Sequence, residues 1–148
     1  MATTTNLGME ITPTSNFVSP EPFNRNFEKL DALGKKYIVD SGKSGEWRFT
    51  EYSDGSYECF MAKTFTDVAM NSQWGVFYTA YIAAIAFPIS FKSKPHMTLT
   101  WDTTSNNSAL AVHDTGLTTS STGGILLCSP ASGKKTTGLL SIHVSGEK

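Results

Sequence analysis

Two glutamates in the stretch Glu46 to Met61, EWRFTEYSDGSYECFM, are the residues whose type and spacing come nearest to a catalytic pair. Glu51 and Glu58 sit in aromatic-rich arms on either side of Ser53-Asp54-Gly55. Two carboxylates facing each other across a hairpin would be an acid/base pair, the device that cleaves glycosidic bonds. Register decides whether they face each other. If Asp54-Gly55 is a two-residue turn, Glu51 stands opposite Glu58 with Cβ atoms roughly 5 Å apart, an unfavourable like-charge pair. Phe49 then meets Phe60, and Trp47 meets Ala62. If Ser53-Asp54-Gly55 is a three-residue loop, a type I turn closed by a left-handed glycine, Glu51 pairs with Tyr57, Phe49 with Cys59 and Trp47 with Met61. The other face then pairs Arg48 with Phe60, Thr50 with Glu58 and Tyr52 with Ser56. Only this second register divides an apolar face from a mostly polar one, and only it places Gly55 where a positive φ is needed. The sequence therefore predicts the three-residue loop, with Glu51 and Glu58 on opposite faces.

The rest of the chain offers little other reactive chemistry. His96, His113 and His143 fall on different predicted strands or strand ends, and no two share a short metal-ligand spacing. Cys59 and Cys128 follow no metal pattern and read as two reduced, partly buried thiols. No nucleophile-elbow, phosphate-loop or dinucleotide-binding pattern occurs. The expectation is a protein that is not an enzyme, with no metal site and no cofactor. The best ligand-binding candidate is Trp101-Asp102-Thr103-Thr104-Ser105-Asn106-Asn107-Ser108. There the Trp101 ring could stack on a sugar, and Asp102, Asn106 and Asn107 could read its hydroxyls, since sugar sites combine an apolar face with polar edges. The same residues also read as a plain loop between strands. Trp74 and Tyr78 read as core or subunit contacts.

These residues must be positioned by one domain's worth of chain, 148 residues with 12 basic and 13 acidic side chains and a net charge of -1. That balance implies no basic face, so nucleic acid is not an expected partner. Hydrophobic residues make up 39%, and serine and threonine fill the deficit, which suits strands and wet loops. The longest apolar run, Tyr78 to Ile89, is interrupted by Pro88 and too short for a membrane span, so no membrane insertion is expected. MATTTNLGMEITPTS has neither a charged n-region nor an apolar run and does not read as a signal peptide.

Residues 1–18 show no period and read as an extended arm. Residues 19–36 read as a helical stem. Ser19 suits the N-cap, Pro20 the first helical position and Glu21 the positive end of the dipole, while Gly34 stops the helix and Lys35 and Lys36 suit its negative end. Phe23, Phe27, Leu30 and Leu33 make one apolar stripe. A helix of about 14 residues is marginal alone, so the stripe must pack on its own domain or on copies of itself in a short parallel bundle.

From residue 37 to 148 the pattern is one of strands. Tyr37-Ile38-Val39 precedes a turn signal, SGKSG, and the hairpin follows. Apolar segments then recur at Trp74–Ile82, Ala84–Phe91, Met97–Trp101, Ala109–Val112, Gly124–Cys128 and Leu139–Val144, between Gly, Pro, Ser and Asn clusters. Such spacing argues for an antiparallel sandwich or barrel. The expected fold is mainly β: an antiparallel β-sandwich head, jelly-roll-like, with one short N-terminal helix.

The phrase FNRNFEKLDALGKKYIVDSGKSGEWRFTEYSDGSYECF resembles a segment of tail proteins from bacteriophages and prophages of gut bacteria. In that family a helix of the form F-N-x-N-F-E-K-L-D precedes G-x-W-x-x-x-x-W-S-D-G-x-x-E-C-W. Trp47, Ser53, Asp54, Gly55, Glu58 and Cys59 match it, and Tyr52 and Phe60 stand where tryptophans are common. Trp74, Gly75 and Tyr78 fit a later W-G-x-x-Y, and Phe87-Pro88 fits F-P. Where the family often ends in G-R-W, this chain has Gly146-Glu147-Lys148. The resemblance covers residues 20 to 91 well and the remainder loosely. It implies a virion tail fibre or baseplate component, made in the host cytoplasm, with other phage tail proteins as partners. It also implies a homotrimer, with the stripe Phe23, Phe27, Leu30 and Leu33 near the threefold axis, and a β-sandwich head that touches a host-surface glycan or protein. A structural tail or collar adaptor and a carbohydrate-binding module are the competing readings.

Overall fold

The computed structural model describes residues 2–3, 10–11, 25, 28, 36–104, 108–131 and 134–148. The chain forms two compact units, residues 1–37 and 38–148. In the first, strand β1 (Ala2–Thr3) pairs antiparallel with β2 (Glu10–Ile11), and Arg25 and Glu28 are helical. The stripe Phe23, Phe27, Leu30 and Leu33 lies outside the described residues.

The second unit is mainly β, with two antiparallel sheets packed as a sandwich. Its strands are β3 (Ile38–Ser44), β4 (Trp47–Tyr52), β5 (Ser56–Ala69), β6 (Ser72–Trp74), β7 (Phe77–Ile82), β8 (His96–Thr103), β9 (Leu110–Thr115), β10 (Gly124–Ser129) and β11 (Lys135–Glu147). One sheet has the order β3-β4-β5-β11-β8 and the other β6-β7-β10-β9. Strand β5 pairs with β11, and β7 with β10, so the chain folds back on itself in nested pairs.

The β4–β5 hairpin has the three-residue register. Phe49 pairs with Cys59, Thr50 with Glu58 and Glu51 with Tyr57. Gly55 has φ +79° and donates its N–H to the Tyr52 carbonyl at 3.0 Å, while Asp54 Oδ1 accepts from the Ser56 N–H at 2.9 Å. The aspartate thus braces the turn that the glycine makes sterically accessible.

Three strand boundaries differ from the sequence expectation. SGKSG is mostly strand: β3 runs to Ser44 and only Gly45-Glu46 turns. Trp74–Ile82 is two strands joined at Gly75-Val76. Ala84–Phe91 is not a strand, and its one ladder contact is the bridge Ala86 to Ser121. Pro88 lacks the N–H a ladder needs, and the residues around it turn inward instead. Phe87 and Phe91 are both buried, packed edge-on to each other, to Trp47 and to Tyr57. Trp47 Nε1–H donates to the Ala86 carbonyl at 2.9 Å, which ties this segment to the five-stranded sheet.

Strand alternation builds the core. Trp47, Tyr57, Cys59, Met61, Leu140, Ile142 and Val144 from one sheet meet Ala80, Ile82, Ile125 and Leu127 from the other. A fully buried aliphatic or aromatic side chain contributes roughly 1.5–3 kcal/mol. Cys59 and Cys128 are both free and buried, on different sheets. Burial pushes the Cys59 thiol up to about 12, and burial followed by the charges of Cys59, Glu51 and Asp40 pushes the Tyr57 hydroxyl up to about 12.

Two outcomes are expected. Both groups are held protonated in the fold, so their contribution is fully present below their ordinary values of 9.0 and 10.0 and is lost as pH rises towards about 12. Urea midpoints should therefore fall between neutral and strongly alkaline pH, and Cys59→Ser should flatten the onset of that fall. Separately, a Cβ at Gly138 would lie 2.5 Å from the Asp102 carbonyl oxygen and 2.7 Å from the Trp101 ring. Gly138→Ala should cost about 1–3 kcal/mol through overpacking. Gly55→Ala meets no atom within 4 Å and should cost only its left-handed backbone, about 1–2 kcal/mol. Chemical denaturation of the two variants checks the order.

Candidate functional site

The outward face of the five-stranded sheet follows from the same register. Ladder pairing sets Arg48, Phe60, His143 and Thr98 in one row across β4, β5, β11 and β8. The adjacent row is Thr50, Glu58, Ser145 and His96. Phe60 is an aromatic ring 43% exposed on an otherwise polar face. It stands between two shallow depressions. One, of about 140 Å³, is lined by Arg48, Thr50, Glu58, Phe60 and His143 together with Phe49 and Cys59. The other, of about 310 Å³, is lined by Lys43, Glu46, Arg48, Phe60 and Ala62.

This arrangement offers a ring face flanked by donors and acceptors. Arg48 and His143 make no hydrogen bond or ion pair with the described residues, so their donors face outward uncommitted. Glu58 accepts a hydrogen bond from the Tyr52 hydroxyl at 3.3 Å. Partial burial first, then the Glu58 charge and that hydrogen bond, raise the Tyr52 hydroxyl above its ordinary value, keeping it a donor. Both depressions are shallow and open to solvent, so they would contact one side of a ligand rather than enclose it. They suit a ligand that lies across the sheet and is held by one ring and several polar edges.

Glu51 lies on the opposite face from Glu58. Its Oε2 is 2.6 Å from Lys148 Nζ, at the end of β11. The two carboxylates do not form a pair. Among the described residues no group of three or more His, Cys, Asp and Glu is placed to hold a metal ion. His113 points toward the interior side of the other sheet, with Nε2 2.8 Å from the Thr122 carbonyl.

The candidate built on residues 101 to 108 is divided by strand geometry. Both Trp101 and Asp102 belong to β8, and successive residues of a strand point to opposite faces. Trp101 turns inward, packs against the core and sits 6.4 Å from Phe65, ring centre to ring centre. Its Nε1–H is buried with no hydrogen-bond partner among the described residues. Asp102 faces out and is exposed. Asn106 and Asn107 lie outside the described residues. The sequence predicts a strand that closes at Trp101, whereas β8 continues to Thr103. The sequence also pairs Arg48 with Phe60 on the polar face, but nothing local brings His143, far along the chain, beside them.

No family model matches the chain, and no curated protein matches it in sequence. Among solved structures it is similar to a Pseudomonas aeruginosa R1 pyocin fibre fragment comprising C-terminal residues 323–701. The TM-score is 0.55 at 13% identity, over 93% of this chain and 39% of that fragment. At that identity the likeness is one of fold, and this chain spans well under half of the fragment's length.

The placement of Trp101 and Asp102 yields a paired test. Trp101→Ala should destabilise by about 3 kcal/mol, the cost of emptying an aromatic core site. Asp102→Ala should change stability by less than about 0.5 kcal/mol, as at an ordinary surface position. Urea midpoints of the two variants, at unchanged slope, separate these outcomes.

Proposed function

We propose that the chain is a non-enzymatic, tail-fibre-like receptor-binding head, carried on a phage or phage-derived particle, that contacts the bacterial surface through a glycan. The fold likeness to a pyocin fibre fragment supports the fibre setting. The nested order, with β8 beside β11 and β9 beside β10, supports a jelly-roll-like binding head of the kind that capsid and lectin domains use. The single observation that carries the glycan reading is the exposed Phe60 ring between Arg48, Glu58 and His143 on a polar face. The separation of Glu51 from Glu58 supports binding without hydrolysis, since most glycosidases set two carboxylates about one glycosidic bond. A site of this size binds weakly, and several copies on one fibre, as in the proposed homotrimer, would raise its avidity.

A structural tail or collar adaptor, binding other virion proteins and no host ligand, is the second reading. It is favoured by the apolar, nearly uncharged outward face of the four-stranded sheet, which suits protein contact.

Binding of the labelled full chain to a panel of bacterial strains, and to the surface polysaccharide of any strain bound, tests the first reading. Phe60→Ala and Arg48→Ala should each weaken binding at least tenfold with the thermal unfolding midpoint unchanged. Equal binding by wild type and both variants would remove the site from this face. A chain that binds no strain but co-sediments with other tail proteins would establish the adaptor instead.

A further inference from the structure

The two outward faces of the sandwich differ in kind. On the five-stranded sheet the outward residues are charged and polar around Phe60. On the four-stranded sheet the outward ladder rows are Trp74 with Phe77, then Thr79, Cys128 and Leu110, then Tyr81, Leu126 and Val112. Trp74, Phe77, Tyr81, Leu110, Val112 and Leu126 are absent from the core, which takes the alternate residues Ala80, Ile82, Ala111, Ile125 and Leu127. The only charge among the outward residues of these four strands is Asp114, at the end of β9 beside the bulge.

Much of this face is open. Trp74 is 62% exposed, Tyr81 61%, Leu110 66% and Phe77 38%, with Val76 79% exposed at the β6–β7 turn. A large aromatic side chain presents 150–250 Å², so together these five side chains leave on the order of 500 Å² of apolar surface in water. That matches the largest apolar patch of a typical monomer, about 300–600 Å², which is often functional. A standard protein interface buries roughly 800 Å² per partner, about 60% of it apolar. The patch therefore supplies the apolar share of one such interface, far more than a sugar ring would cover.

We propose that this face is where copies of the chain meet, each turning the Trp74–Tyr81–Leu110 surface of its four-stranded sheet toward a common axis. Its exposed side chains stand in ladder rows on a sheet, an arrangement a second sheet can cover, and a depression of about 400 Å³ opens at its Tyr81 edge. Its Trp74, Leu110 and Tyr81 rows are uncharged, so two copies that meet there bury no like charges and leave Asp114 at the margin. A second copy of the chain offers the same apolar, charge-free rows and the same area. Association through this sheet leaves the Phe60 face turned outward on every copy. The inference deepens the fibre reading by naming the partner of one face, and it does not depend on host contact. A wild-type chain that associates but adsorbs to no strain would defeat the host reading alone.

The test uses the full chain at tens of micromolar. Trp47 is 5% exposed and the Trp101 indole N–H is buried, so collisional quenching by iodide reports chiefly on Trp74. Light scattering should give an oligomer whose tryptophan quenching rises severalfold on dilution to monomer. Leu110→Lys and Trp74→Lys, both at exposed positions, should raise the dissociation constant at least tenfold with an unchanged circular dichroism spectrum. A monomeric wild type, an oligomer quenched as readily as the dilute monomer, or lysine variants that associate normally would each overturn the proposal. Shielding of Trp74 that appears only when a different protein is added would assign the face to that protein, with the same consequence. If a variant fails to fold, the quenching of the wild type by itself decides.

Discussion

The turn at Ser53-Asp54-Gly55 is the constraint on which most of the sandwich depends. Its three-residue loop, closed by Gly55 at φ +79°, sets Phe49 against Cys59. Strand β5 then pairs with β11, and β11 with β8, so the parity chosen at the turn passes across the sheet. Cys59, Val144 and Met97 share one inward row, while Phe60, His143 and Thr98 share the outward row beside it. A slip of one residue would exchange these rows. Glu58 and His143 would then face the core, where an unpaired charge is costly, and Cys59, Met61 and Ile142 would face water. Register is specified this firmly because the two faces differ so much in polarity.

The four-stranded sheet covers less area than the five-stranded one, and the segment from Ala83 to Pro95 fills the difference. Thr122, fully buried, accepts from the Ile85 N–H through Oγ1 at 2.9 Å and donates its own N–H to the Ile85 carbonyl at 3.0 Å. With the Phe87 and Phe91 N–H groups bonded to the Ser120 and Thr119 carbonyls, both at 2.8 Å, the segment ties its backbone down at these points without forming a strand. It can then aim two phenylalanines at Trp47 and Tyr57. Backbone anchoring and aromatic packing are thus met together, which an isolated loop of this length would not achieve.

The outcome is a body with two unlike outer faces. One places an exposed ring among uncommitted polar groups, the other is apolar and nearly uncharged. A sheet that presents residues in fixed rows is a rigid support for either kind of contact, since its side chains are spaced by the ladder rather than by loop conformation. In the fibre reading this divides the labour: one face recognises an external surface while the other is withdrawn from water.

What the sequence determined by itself is local. The Asp-Gly turn chemistry and the alternation of apolar and polar residues were enough to place Phe49 opposite Cys59 and to separate Glu51 from Glu58, because each rests on neighbours a few residues apart. The β-rich class followed from short apolar runs between turn clusters for the same reason. Tertiary structure decided the rest. Ala84–Phe91 has the composition of a strand, yet Pro88 and the inward pull on Phe87 and Phe91 make it a connection anchored in the core by two rings. Trp101 has the look of a binding residue at a strand end, yet the continuation of β8 against β11 turns it into the core above Gly138. His143 reaches Phe60 only because β11 pairs with β5. Such pairings join residues distant along the chain, and the free energy that selects them is the burial of whole faces, a quantity no short stretch of sequence carries.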